Sequence, residues 1–357
     1  MTVYGDITPR TAAFAVKEML KRGMPYLTLE KFGQTYTLPT NSTKVAKFRR
    51  YFLAGATGAA GAGTNATPWG VPLATTALAE GVTPSSTTTL ANQDYTISLN
   101  QYGDYITISD VVMDTHEDAI LQQSTEVLGE QAALTVETLR YNVLKAGTNV
   151  FYGEASAGVL ATTRLTVLRP ITLGLQRSVT TALNRQNAKK ITSVVKSTPN
   201  FQTQPIGASY IAIVHPDMET DIRGMTGFTP VERYGSMTPF ENEIGWVEQV
   251  RYLSTTVAAP FNGTSGVTQT ALVAAATTMR SDNGTTINIY PVLFLARDAF
   301  GIVPLKGAAS LTPMVVNPKP AVNDPLGQKG TIGWKTMQGA IILNDAWMVR
   351  LEVAATA

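Results

Sequence analysis

A hydrolytic triad or a general acid–base histidine in this chain of 357 residues would have to use His116 or His215, because the sequence has no other histidine. A histidine acts as a general base where it lies beside a nucleophile and a third group orients it. Neither histidine adjoins a nucleophile motif, and both lie where a helix or turn is expected to begin. We therefore interpret both as turn or capping residues, and we expect a protein that is not an enzyme.

Metal and cofactor sites find equally little support in the sequence. The absence of cysteine excludes thiolate zinc sites, iron–sulfur clusters and disulfide bonds. The acids of residues 114–118 lack the spacing of an EF-hand loop. The glycine-rich tract at residues 55–63 contains no lysine, so it does not form a P-loop. We predict no metal and no cofactor.

Charged residues are divided into blocks along the chain. Residues 1–50 hold nine basic and three acidic residues, residues 51–139 hold ten acids and no lysine or arginine, and residues 155–216 hold seven basic residues and no acid. The whole chain nets only +2. Blocks of opposite sign attract one another between copies of the same chain. This pattern indicates a protein that assembles with copies of itself.

The basic run Lys44, Lys47, Arg49 and Arg50 has three interpretations. It is a solvated strand face, a contact with nucleic-acid phosphates, or a contact with an acidic segment of a neighbouring copy. Aromatic stacking partners are few here, which disfavours single-strand binding. The acidic candidates for the neighbour's side of the contact are Glu80, Glu117, Asp118, Glu126 and Glu130.

The second basic block, residues 164–196, has two interpretations. It faces nucleic acid, or it is simply an exposed surface. Its candidates for facing DNA are Arg177, Arg185 and Lys189. They lie on a predicted amphipathic helix that begins at Pro170 and has an apolar stripe at helical spacing.

The longest predicted element is a helix within residues 110–146, which contain no proline and one glycine. Leu128, Ala132 and Leu139 belong to its predicted apolar face. Glu137 is predicted on the exposed acidic side, with Glu126 and Glu130. About 30 residues at 1.5 Å each would extend roughly 45 Å. Such a length predicts a structural spine.

Strands and one long excursion surround this helix. Residues 44–52 predict a basic strand, and residues 53–93, with six glycines and three prolines, predict a projecting loop. Residues 95–108 predict strand structure interrupted by a turn at Gly103. Further strands are predicted at residues 210–214, 246–253, 287–295 and 347–353. No apolar run approaches the roughly 18 residues that span a bilayer, and no signal-peptide pattern occurs, so we expect no membrane partner.

Several segments resemble the major capsid proteins of tailed phages, typified by the Enquatrovirus-type podoviruses. These segments occur in the family's order over most of the chain. They are YGDITPRTAAFAVKEML (4–20), KRGMPYLTLEKFGQ (21–34), QYGDYITISDVVMDTHED (101–118), HPDMETDIRGMTGFTPVERYGSMTPFENEIG (215–245) and DPLGQKGTIGWKTMQGAIILNDAWMVRLE (324–352). The stretches 55–63 and 259–288 match less well and have the character of insertions.

The resemblance implies an α+β protein with the Hong Kong 97-type capsid fold. It implies an N-terminal arm at residues 1–40, an extended loop at 41–103 and a peripheral domain with the long spine helix at 104–165. An axial domain would follow at 166–323. Residues 324–357 would return to the peripheral-domain sheet.

The function implied is that of a major capsid protein, which self-assembles into hexamers and pentamers of an icosahedral shell around the phage genome. Its partners would be copies of itself, double-stranded DNA on the inner face, and portal, scaffold and cement or decoration proteins. A scaffold would be a separate protein, because the sequence starts directly at the arm. The expected location is the virion capsid, assembled in the host bacterial cytoplasm. The alternative function is a nucleic-acid-binding structural protein.

Overall fold

The computed structural model describes residues 27–38, 41, 43–54, 80–83, 89–115, 120–192, 207–234, 239–261, 278–281, 286–305, 311–316, 318, 320 and 324–357. The glycine-rich tract at residues 55–63 lies outside these residues. Within them the chain is a mixed α+β structure with few helices and many strands.

Helices and strands alternate irregularly along the described residues. The helices are α1 (Asp110–Thr115), α2 (Ile120–Lys145), α3 (Leu173–Arg185) and α4 (Glu219–Arg223). The strands are β1 (Gln34–Thr35), β2 (Val45–Ala54), β3 (Thr89–Ser98), β4 (Asn100–Ser109), β5 (Val150–Tyr152), β6 (Glu154–Ser156), β7 (Val159–Leu160), β8 (Tyr210–Val214), β9 (Phe228–Pro230), β10 (Glu243–Val247), β11 (Val250–Ser254), β12 (Tyr290–Leu295), β13 (Phe300–Pro304), β14 (Thr312–Val316), β15 (Lys329–Ile342) and β16 (Met348–Val353).

Two units make up the chain. The first unit contains Met1–Ala46, Ile97–Tyr141 and Gly301–Ala340, and the second contains Lys47–Thr96, Asn142–Phe300 and Ile341–Ala357. Each unit therefore draws on segments that are distant in the sequence.

The first unit is built on a five-stranded sheet. Its order is β1-β13-β15-β14, with β4 paired along β15. Helix α2 packs on one face of this sheet, where Leu128 and Ala132 meet Ile108, Ile332 and Trp334. Fully burying a side chain of this size contributes about 1.5–3 kcal/mol. The predicted apolar face of the long helix is thus confirmed at Leu128 and Ala132.

Gly103 lies inside β4, so the turn predicted there is wrong. It pairs with Lys335 in the antiparallel ladder between β4 and β15. A Cβ atom at this position would lie 2.6 Å from the carbonyl oxygen of Trp334. Glycine is required here because the two backbones approach closely, and not because the chain reverses.

The second unit is built on a seven-stranded mixed sheet in the order β5-β16-β12-β8-β11-β10-β9. Every residue of β8 and β12 is buried, which suits the central strands of a sheet covered on both faces. The strand predicted at residues 210–214 is confirmed by β8. The strand predicted at 246–253 is instead a hairpin of β10 and β11, because the chain reverses at Glu248, where φ is +50°.

Helix α3 packs against this sheet through Leu175, Val179 and Leu183. The helix begins at Leu173, three residues later than predicted, because Thr172 is its N-cap and its side chain accepts a hydrogen bond from the backbone amide of Leu175. The C-terminal strand predicted at residues 347–353 is confirmed by β16.

Candidate assembly surfaces

The basic run on β2 is partly neutralised within its own hairpin. Lys47 Nζ lies 3.1 Å from Asp94 Oδ2 on β3. Arg49 donates to the same carboxylate through Nε at 2.7 Å and through Nη2 at 3.0 Å. The Arg49 guanidinium, aided by Lys47, holds the pKa of the Asp94 carboxyl well below its usual range. Lys47 and Arg49 therefore already have an acidic partner in the same chain.

Lys44 and Arg50 differ from these two residues. Lys44 is exposed and Arg50 is half-buried. No ion pair joins either side chain to another residue in the described part of the chain. Their charges are available to a partner.

The acidic candidates are distributed over separate elements. Glu80 is exposed in the short described segment 80–83, whereas Glu126 and Glu130 are half-buried on α2. Glu117 and Asp118 lie outside the described residues, as does His116. The structure therefore does not gather the described acids into one cluster.

One face of α2 forms an open groove of about 520 Å³. The residues that line it recur at helical spacing and are mostly apolar or neutral. They are Val127, Glu130, Gln131, Leu134, Thr135, Thr138 and Leu139. Val127 is 50% exposed although it is apolar. Within the described residues, this face of the long helix is only partly covered.

Glu137 also lies on α2, and its predicted exposure is wrong. Its side chain has 0% of its surface exposed. Oε1 accepts hydrogen bonds from the backbone amides of Thr28 at 2.9 Å and of Leu29 at 2.7 Å. Burial raises the pKa of its carboxyl group to about 7. The residue holds the chain just before β1 against the long helix.

The three candidates for facing DNA have different surroundings. Arg177 on α3 forms a bidentate pair with Glu248 at the β10–β11 turn, with Nε 3.0 Å from Oε1. Arg185 and Lys189 are exposed, and no ion pair to them occurs within the described ranges. Of the three, Arg185 and Lys189 keep their charge free for a polyanion.

Two buried ion pairs of the second unit were not foreseen from the sequence. In one, Arg251 and Glu243 are both 0% exposed and lie 2.5 Å apart. Glu243 also accepts hydrogen bonds from Tyr234 Oη at 2.6 Å and from the amide of Phe240 at 2.9 Å. Burial of Tyr234 and its hydrogen bond to Glu243 raise the pKa of its hydroxyl group. Charged residues that alternate with apolar residues along a strand normally face solvent. The sequence therefore contained no indication that Glu243 and Arg251 are buried as a pair.

The other buried carboxylate is Glu352 on β16. It accepts two hydrogen bonds from Arg164, at 2.6 and 2.7 Å, and Arg350 Nε lies 2.9 Å away. The guanidinium of Arg164 also lies 3.5 Å from the centre of the Phe261 ring. Arg164, the first charge of the second basic block, is therefore used inside the fold.

His215 occupies the capping position that the sequence predicted. Its Nδ1 accepts a hydrogen bond from the amide of Asp217 at 3.2 Å, at the start of the short helical turn Pro216–Met218. Its ring packs against Tyr290. Within the described ranges, no three metal-binding side chains come together, and no helix is long and apolar enough to cross a membrane.

Comparison with known proteins finds phage capsid proteins, both through a family model and among solved structures. A family described as "Phage capsid protein" matches residues 92–251. The capsid of Ralstonia phage GP4 is similar in structure with a TM-score of 0.60 and 13% identity, over 92% of this chain and 91% of that chain. No curated protein matches the chain significantly in sequence.

Two further phage capsids have similar structures. The head of Helicobacter pylori bacteriophage KHP40 gives a TM-score of 0.53 and 11% identity, over 90% of this chain and 86% of that chain. The capsid of cyanophage Pam1 gives a TM-score of 0.52 and 14% identity, over 94% of this chain and 92% of that chain. The chain thus has the fold of these phage capsid subunits.

Proposed function

We propose that this chain is a major capsid protein of a tailed phage, and that copies of it assemble as hexamers and pentamers into an icosahedral shell around the genome. The likeness to phage capsid subunits over more than nine-tenths of the chain carries the proposal. Its activity is polymerisation, and no catalytic step is needed. The finer assignment is the Enquatrovirus-type group with the Hong Kong 97-type fold, supported by the resemblance of the segments quoted above.

The proposed domain plan follows that fold. Residues 1–40 are the arm, 41–103 the extended loop, 104–165 the peripheral domain with its spine helix and 166–323 the axial domain, while 324–357 return to the peripheral sheet. The long α2 supports the spine assignment, and the β2–β3 pair supports a two-stranded base for the loop.

We assign the contacts between copies to the loop base of one copy and the groove on α2 of another. The groove residues Val127 and Leu134 offer apolar area, and burial of that area would supply most of the affinity. Lys44 and Arg50 would select the register by meeting acids such as Glu126 and Glu130, because exposed charge pairs contribute only about 0–1 kcal/mol each. Repetition around a closed shell multiplies such weak contacts.

Other partners belong to the same proposal. Arg185 and Lys189 would face packaged double-stranded DNA, since both are exposed and have no ion pair within the described residues. Portal, scaffold and cement or decoration proteins would complete the particle, which forms in the host cytoplasm. The second candidate, a nucleic-acid-binding structural protein, rests on these same two cations.

Electron microscopy of the overexpressed full-length chain tests the proposed function. Closed particles, tubes or ring-shaped capsomers are expected. A chain that stays monomeric across protein and salt concentrations, and binds DNA with a steep salt dependence, would support the second candidate instead.

Charge reversal tests the proposed contact. The double variant Lys44→Glu with Arg50→Glu is expected to reduce closed particles and to change their salt sensitivity. The matched control reverses Lys47, Arg49 and Asp94 together, which keeps their pairing within the hairpin, and it should assemble. Normal shells with unchanged salt sensitivity from the first variant would overturn the charge-matching contact while leaving the capsid function in place.

A further inference from the structure

Three buried polar atoms without a hydrogen-bond partner lie on the residues that join the arm to α2. They are Thr28 Oγ1, Glu137 Oε2 and Arg140 Nε. Thr28 and Glu137 are already joined through the Thr28 amide at 2.9 Å. Buried polar groups in proteins are nearly always paired, so such a concentration at one junction calls for a physical explanation.

Arg140, the cation of this junction, forms its ion pair with Glu30 and not with Glu137. Arg140 lies one helical turn after Glu137 on α2 and is 5% exposed. It donates instead to Glu30 Oε2 at 3.1 Å, and Glu30 is 51% exposed. Attraction to Arg140 favours the ionised form of Glu137, whereas repulsion from Glu30 opposes it. Among the described residues, Arg140 and Glu30 are the charged side chains that act on the Glu137 carboxyl group, and the neighbouring Lys31 is exposed.

A protonated Glu137 suits the junction better than an ionised one. Its Oε1 would continue to accept the Thr28 and Leu29 amides, and the buried Oε2 would carry no charge. The ionised form keeps Oε2 buried with no donor, and it carries a charge out of water that no cation pairs directly.

We propose that Glu137 is a positioning residue for the arm, and that proton uptake by its carboxyl group strengthens the attachment of residues 28 and 29 to α2. The attachment determines where the arm leaves its own subunit. In the proposed shell, acidification would therefore fix the origin of the arm and a rise in pH would loosen it. Only this consequence for assembly rests on the proposed function, because the attachment itself lies within one chain.

Burial supports the sign of this effect. The carboxyl pKa is raised from 4.5 to about 7 by burial, against the two amides and Arg140, which favour the ionised form. The attached state then binds more protons than the detached state between these two pH values. The attachment weakens as pH rises through that window and is constant above it.

Amide hydrogen exchange of the full-length protein tests the inference, read on a peptide covering residues 27–32 and corrected for intrinsic exchange rates. In the wild type, protection is expected to fall by up to about tenfold per pH unit between pH 5 and 7. Glu137→Gln, which keeps the amide acceptor and cannot ionise, should show protection that does not change with pH.

Glu30→Gln provides the matched control, because Glu30 is half-exposed and does not hold the arm amides. It should keep the pH-dependent loss of protection but move it to lower pH, since one repulsive charge is removed and Arg140 is released towards Glu137. A wild type with constant protection across this window would overturn the inference, and so would an unshifted transition in Glu30→Gln. These outcomes are independent of whether the protein forms particles.

Discussion

Glu137 in the first unit and Glu243 in the second are both fully buried glutamates, but their surroundings are opposite. Glu243 faces Arg251 at 2.5 Å and accepts two further hydrogen bonds, from Tyr234 and Phe240. Glu137 accepts two amides on one oxygen, leaves the other unpaired, and its nearest arginine bonds to Glu30. One carboxylate is matched by a cation, and the other is held only by backbone donors.

The difference separates permanent from adjustable structure. A buried charge with a matching charge and filled lone pairs stays ionised and is costly to disturb. A buried carboxyl group that is only partly satisfied can exchange its charge for a proton near neutral pH. The β10–β11 hairpin of the second unit is thus fixed by its ion pair, whereas the attachment of the arm responds to pH.

The largest effect is expected from breaking the matched pair. Arg251→Met leaves the Glu243 charge buried without a cation, which should lower the free energy of unfolding by about 3–5 kcal/mol. Urea unfolding of the unassembled chain measures this loss. Arg251→Met combined with Glu243→Gln removes both charges and keeps an acceptor for Tyr234, so it should recover much of the stability. Equal free energies of unfolding for the single and double variants would show that the unpaired Glu243 charge is not what destabilises the single variant.

A smaller effect that depends on pH is expected from Glu137→Ala. Loss of the acceptor leaves the Thr28 and Leu29 amides unpaired and should cost about 1–3 kcal/mol at pH 6. The cost should decrease at pH 8, because the wild-type protein also loses stability as Glu137 ionises, by about 1.3 kcal/mol between pH 6 and pH 8 for a pKa raised from 4.5 to about 7. Urea titrations at both pH values measure the change. The loss of stability caused by Arg251→Met, measured at the same two pH values, is the control. An equal loss from Glu137→Ala at pH 6 and pH 8 would contradict the pH response that distinguishes Glu137 from Glu243.

The smallest effect is expected at the exposed carboxylate Asp94. Asp94→Asn breaks the pairing with Lys47 and Arg49, but all three side chains are exposed to solvent, where salt and water screen the attraction. The unfolding midpoint should stay at the wild-type value. The variant should nevertheless change the salt dependence of assembly, because it frees two cations, and particle yield against salt concentration measures this. A clear drop in the unfolding midpoint would show that exposure does not distinguish Asp94 from the buried glutamates.

Much of the fold was predictable where one local pattern determines one outcome. The apolar run of β8 and the proline-free stretch of α2 were recognised, because a buried strand selects apolar residues and a helix interior excludes proline. The alternation at residues 347–353 also predicted a strand, but β16 is buried at five of its six residues and not only on one side. The capping role of His215 was recognised for a similar reason, since proline follows it at the start of a turn.

Local pattern failed where a distant segment decides the outcome. Gly103 suggests a turn in the sequence, but the backbone of β15 approaches it and requires a residue without a Cβ atom. Glu137 follows the spacing of exposed helix acids, but residues more than a hundred positions earlier cover it. A helical period records which residues share a face, and it does not record which face another segment covers.

The sequence by itself determined the long helix, the absence of cysteine chemistry and the alternating charge blocks, because these follow from residue type and spacing. Only the tertiary structure decided which charges remain free. It paired Lys47 and Arg49 with Asp94, Arg177 with Glu248 and Arg164 with Glu352, and it left Lys44, Arg50, Arg185 and Lys189 without an ion pair among the described residues. The physical reason is that a charge is neutralised by its neighbours in space, and these come from strands far apart in the chain.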